Sequence, residues 1–156
     1  MKLPILAYLQ SMINKSLLPE MNTHLQYPTA IATTLGMEVI EIGPGRATIS
    51  IETSKELHAN QQGTIHGGLI SELADAAIGT AHSTFIERGE SFTTIELKIN
   101  FYRPVFSGSL KAKAYPLHKG KNVSHYLCEV KNAEDKTVAM ATSTVMTLRG
   151  EMAVGR

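Results

Sequence analysis

His66-Gly67-Gly68-Leu69-Ile70-Ser71-Glu72-Leu73-Ala74-Asp75-Ala76-Ala77-Ile78-Gly79-Thr80-Ala81-His82 is the segment around which the rest of the chain must be arranged. Ile70, Leu73, Ala77 and Ala81 recur at helical spacing, with Ala74 and Ile78 beside them. They form one apolar stripe, and the period predicts a long helix from His66 to about Glu87. Arg88-Gly89, a cation followed by glycine, is the expected stop. Asp75 lies well off the stripe, with Gly68, Ser71, Gly79 and His82 on its side. Glycine inside a helix costs roughly 1 kcal/mol relative to alanine. Gly68 and Gly79 flanking Asp75 therefore predict a close approach there by a ligand or a second helix.

On either side of this helix the period changes to that of strands. Met37–Ile42 and Arg46–Thr53 flank the turn Gly43-Pro44-Gly45 and read as a hairpin. After the helix, Ile95, Leu97, Ile99 and Phe101 alternate with polar residues until Pro104. Leu110, Ala112 and Ala114 then alternate with Lys111, Lys113 and Tyr115. Two further runs, Val123–Lys131 and Thr137–Leu148, follow turns at Lys119–Asn122 and Asn132–Lys136. The order strand, strand, long helix, four strands predicts an α+β fold, one helix against a mainly antiparallel sheet. Residues 1–35 stand outside this pattern. They read as an amphipathic N-terminal helix followed by an irregular covering segment from Leu17 to Thr34 with Pro19 and Pro28. Residues 36–149 are the expected main domain.

Composition narrows the function. The chain has 156 residues, 43% hydrophobic and 19% charged, which suits a single well-packed domain. A formal net charge of +1 gives no reason to expect nucleic acid or an anionic membrane as partner. The apolar run near Met1 is broken by Pro4 and too short to span a bilayer, so the cytoplasm is the expected location. The one cysteine, Cys128, sits in a strand pattern and reads as a buried structural thiol. His58, His66 and His82 with Asp75 or Glu72 have no metal-ligand spacing, and no Gly-x-Ser-x-Gly elbow is present. His-Gly-Gly at a helix start offers free N–H groups and the positive end of the helix dipole, suited to an anion or an oxyanion.

Asn60-Gln61-Gln62-Gly63-Thr64-Ile65-His66-Gly67-Gly68, followed by Leu73, Asp75, Ala77 and Gly79, resembles the hot-dog thioesterases of the phenylacetate-degradation (PaaI-like) type. Lys98–Pro104, Gly108–Ala112, His118–Lys121 and Val138–Thr142 match in the same order, so the resemblance runs from about Gly36 to Leu148. It implies a hot-dog fold of about six antiparallel strands wrapped on the central helix, and hydrolysis of an acyl-CoA thioester without metal or cofactor. Position by position, it implies Asp75 as general base or nucleophile and Gly67 as the N–H that polarises the carbonyl. Asn60 would position the water or the carbonyl, and His66 would orient the loop. Thr94, with Thr93 as the competing alignment, would support the carboxylate. Strand alternation places Thr94 opposite an Ile95/Leu97 core face.

For CoA itself, His118-Lys119-Gly120-Lys121-Asn122 offers two cations about a glycine, and Phe101 and Arg103 are further candidates. A hydroxyacyl-thioester dehydratase and a non-catalytic acyl-CoA-binding module remain as alternatives, and Asp75 with Asn60 and Gly67 favours hydrolysis. Gly67 and Asp75 are about 12 Å apart along a helix rising 1.5 Å per residue. The implied chemistry therefore requires Asp75 from a second subunit, a two-fold dimer that can pair into a tetramer.

Overall fold

The computed structural model describes residues 1–155. Its centre is α4, Gly67–Ser83, which buries Ile70, Leu73, Ala74, Ala77, Ile78 and Ala81 completely or nearly so. The stripe read from the sequence is the one that packs.

Six strands form a single antiparallel sheet around this helix: β1 (Glu38–Gly43), β2 (Arg46–Thr53), β3 (Ser91–Phe101), β4 (Gly108–Lys119), β5 (Val123–Asn132) and β6 (Thr137–Leu148). Their order across the sheet is β1-β2-β4-β5-β6-β3. Small side chains on the inner face, Ala112, Ala114, Ala139 and Ala141, let α4 lie close to the strands, while Tyr126, Leu110 and Val130 fill the space around it. β3 is the last strand at one edge, and Ile95, Phe101 and the adjoining Tyr102 are at least half exposed along it.

Three local features depart from the sequence expectations. The helix ends at Ser83, before Arg88-Gly89, because the Ser83 and Thr84 hydroxyls donate to the Thr80 and Ala81 carbonyls and the chain turns there. Gly89, at φ +88°, belongs instead to the turn into β3. The covering segment is not wholly irregular. Ala30–Leu35 forms a helix, α2, capped by the Thr29 hydroxyl and closed by Gly36 in the left-handed region. Its six residues carry no long apolar period, which is why the sequence does not reveal it. A one-turn helix, α3 (Lys55–His58), also precedes the loop that enters α4.

The N-terminal helix α1, Ile5–Ile13, is present as expected. Ile5, Tyr8 and Leu9 pack with Ile86 in a second apolar cluster just beyond the end of α4. Among the described residues, no helix is long and apolar enough to cross a membrane.

Candidate active site

Asp75 occupies the third turn of α4, half-buried. The Thr94 hydroxyl donates to its Oδ1 at 3.2 Å, and Thr93 makes no such contact. The strand register explains the choice. Thr94 pairs with Val145 and Glu96 with Thr144, so Ile95 is an extra residue in a β-bulge. The bulge changes the phase of alternation. Thr94 faces the helix together with Leu97 and Ile99, and Ile95 is turned out, 58% exposed. The expectation that Thr94 lies opposite an Ile95/Leu97 core face is corrected accordingly.

Glu72, one helical turn before Asp75, shares the cleft with it. Its carboxyl is raised above the ordinary value, first by burial and then by the charge of Asp75. A spacing of three residues on a helix is the signal that identifies this second carboxylate; in the sequence it stands out only as a possible metal ligand. Among the described residues no cluster of three His, Cys, Asp or Glu side chains forms a metal-binding group.

The entry to α4 is a second assembly. His66 is the N-cap, and its Nδ1 accepts from Gly68 N at 2.9 Å. That bond fixes the neutral tautomer with the proton on Nε2. A β-carbon at Gly68 would come within 2.9 Å of the same Nδ1, so glycine there serves the cap. The Gly67 N–H, at the first helical position, has no acceptor among the described residues and carries the helix's partial positive charge. The Phe101 ring lies directly against Gly67, where an added β-carbon would be 3.0 Å from it.

Asn60 holds the preceding loop. Its Oδ1 accepts from Gln62 N and Thr64 N, and its Nδ2 donates to Thr64 Oγ1. Its second Nδ2 hydrogen has no acceptor among the described residues.

The cationic hairpin forms a third assembly at the other end of the helix. Lys119 Nζ sits 3.7 Å from the centre of the Phe85 ring, just past the C-terminus of α4. Gly120 abuts the Val123 carbonyl and has no room for a side chain. Arg149, unremarked in the sequence, donates to the Lys121 carbonyl and to Asn122 Oδ1 and so braces the turn. His118 stands beside His125, with ring centres 6.4 Å apart. Arg103 is exposed beyond the end of β3.

A helix wheel groups His82 with Asp75, but sheet covers that part of the face. His82 is 1% exposed, and its two ring nitrogens contact Tyr126 OH and Thr147 Oγ1, each at 3.0 Å. Burial, then Lys119 and Arg149, lower its pKa to about 4, which keeps it neutral. Cys128 is fully buried, and burial pushes its thiol up to about 12.

A cleft of about 720 Å³ opens onto Asp75. α4 contributes Glu72, Asp75, Ala76 and Gly79 to it, and the opposite wall comes from the end of α1, from α2 and from β1. Gly67, Asn60 and the hairpin do not line it. A single chain thus carries three separate assemblies: Asp75 with Thr94, Gly67 with His66 and Phe101, and the cationic hairpin.

Comparison with known proteins agrees with this architecture. The Thioesterase superfamily model matches residues 62–139. The acyl-coenzyme A thioesterase PaaI of Escherichia coli K12 is 32% identical over 121 residues, covering 76% of this chain and 84% of its own. The solved structure of E. coli PaaI, from the phenylacetic acid degradation operon, is similar at a TM-score of 0.72 and 30% identity, covering 79% of this chain and 87% of that one. A mutant of the phenylacetic acid degradation protein PaaI from Thermus thermophilus is similar at a TM-score of 0.69 and 30% identity, covering 76% and 98%. The chain therefore belongs to the thioesterase superfamily and is a hot-dog thioesterase of the PaaI-like type.

Proposed function

We propose that this protein hydrolyses an acyl-CoA thioester to the free acid and CoA, at sites composed from two copies of the chain. The observation that carries the reading is Asp75, held by Thr94 on the floor of a largely apolar cleft, with its partner group Gly67 two turns away on the same helix. Such a carboxylate can take a proton from water as the water oxygen attacks the thioester carbon, or can attack that carbon itself. In either route the carbonyl oxygen becomes an oxyanion, which the free Gly67 N–H would stabilise. The C–S bond then breaks and CoA leaves as its thiolate; where Asp75 itself has attacked, water cleaves the resulting mixed anhydride to release the acid and restore the carboxylate.

The sheet edge supports the two-chain arrangement. An unpaired edge of 11 residues with exposed apolar side chains invites strand pairing. If β3 pairs antiparallel with β3 of a second copy so that Thr94 lies across from Phe101, Asp75 of one chain approaches Gly67 of the other. Phe101 would then lie beside the thioester, and Lys119, Lys121 and Arg103 are the cations available to the phosphates of CoA. Asn60 has one amide hydrogen left to orient water or the carbonyl.

The test combines two variants. Asp75→Asn should lower thiol release from acyl-CoAs by at least ~10²-fold. Gly67→Pro removes the N–H at a first helical position, which the backbone of proline suits, and the Phe101 ring must shift slightly to admit the added carbon. Dimers co-assembled from the two variants should regain hydrolysis, because one of their two sites holds both native residues. Failure to regain any would overturn the composite site, and an unimpaired Asp75→Asn would overturn the role of Asp75.

A further inference from the structure

We infer that the N-terminal segment, from the end of α1 through α2, forms the wall of the acyl pocket and sets which acyl chains the enzyme accepts. The inference rests on the thioesterase reading above, and extends it to residues that the matching family model does not reach.

The first argument is continuity. The cleft that contains Asp75 runs from that carboxylate outward between α4 and this segment. A thioester carbonyl placed at Asp75 has its acyl tail in the same space. The second is chemistry. Met12, Ile13, Ile31 and Ala32 face Ala76 and Phe92 across the cleft, so the walls suit a hydrocarbon or arene. At about 720 Å³ the space falls in the range that encloses a small organic group.

The third argument is that the wall is fixed. The Tyr27 hydroxyl donates to Ser83 Oγ at 2.7 Å and ties the segment to the end of α4. α1 is anchored separately, through Ile5, Tyr8 and Leu9 against Ile86.

Gly79 supplies the fourth. A β-carbon there would meet Phe92 at 3.5 Å, an ordinary contact, so packing within the chain does not demand glycine. Its φ is not in the left-handed region either. A glycine at mid-helix is less stable there than alanine. What it leaves is space in the cleft, one turn beyond Asp75.

The experiment uses two non-hydrolysable thioethers, S-octyl-CoA and S-ethyl-CoA, with binding measured by calorimetry on the full-length protein. Ile31 is 46% exposed at the cleft, so Ile31→Trp narrows the mouth without disturbing the core. Gly79→Ala raises the floor and should raise Tm, which separates loss of space from loss of fold. The wild type should prefer the octyl over the ethyl compound by at least ~10-fold, and each variant should cut that ratio about fourfold or more, the effect of losing one buried methylene. No octyl preference in the wild type, or a ratio unmoved in both variants, overturns the inference. Thiol release from octanoyl-CoA and acetyl-CoA by the wild type tests the thioesterase reading separately, since the thioethers report on the pocket whether or not hydrolysis occurs.

Discussion

The Thr94 hydroxyl donates to Asp75 Oδ1 at 3.2 Å, from a strand whose phase has just been reset by the bulge at Ile95. It is the one side-chain donor to that carboxylate among the described residues. The contact joins the central helix to the edge strand at the point where the chemistry is proposed. It also restricts the carboxylate's rotation.

Removing that donor should therefore lower turnover without unfolding the protein. A hydrogen bond to a charged group is worth about 1.5–3 kcal/mol, so Thr94→Val should lower kcat by roughly 10- to 100-fold. Thr94→Ser keeps the hydroxyl and should restore most of the rate. Thr93→Val should leave kcat within about twofold, since the change is nearly isosteric and Thr93 makes no hydrogen bond to Asp75. Steady-state thiol release on the three variants decides between the two threonines.

His82 should make the fold sensitive to acid. Its pKa is 6.5 unperturbed and about 4 in the folded chain, so the unfolded chain binds the proton more readily between these values. The stabilising effect of a neutral His82 is complete above pH 6.5 and is lost as pH falls toward 4. The difference corresponds to about 3 kcal/mol. Glu90 opposes the shift, and Lys119 and Arg149 reinforce it. In His82→Gln the pH-dependent part should disappear. Urea unfolding of both proteins at pH 7 and pH 4 should show the wild type losing about 3 kcal/mol more than the variant over that range.

Glu72 should act in the opposite sense. Its pKa is raised by burial and then by the charge of Asp75, so the folded chain favours the protonated carboxyl more than the unfolded chain does. Stability from this group rises as pH falls through its raised folded pKa, and levels off below the unfolded value of 4.5. Glu72→Gln should increase Tm at pH 7.5, and the gain should shrink to nothing near pH 4. A gain that persists unchanged at low pH would assign the effect to packing rather than charge.

The sequence by itself determined the central helix, the order of the strands, and the family resemblance that pointed to Asp75 and Gly67. Each depends on short-range periodicity or on a local motif. The 12 Å rise between those two residues, about eight steps of a helix, likewise needed no tertiary structure to suggest a second subunit. The choice of Thr94 over Thr93 did need it, because a bulge is defined by the partner strand and leaves alternation in the sequence looking unbroken. The fate of His82 did too. A helix wheel puts it in line with Asp75, and only the sheet decides that one is buried under Tyr126 and Thr147 while the other opens to a cleft. The wall of that cleft was the least legible part. α2 is too short to carry a period, and its place opposite Asp75 is set by contacts such as Tyr27 with Ser83, which are 56 residues apart in the chain.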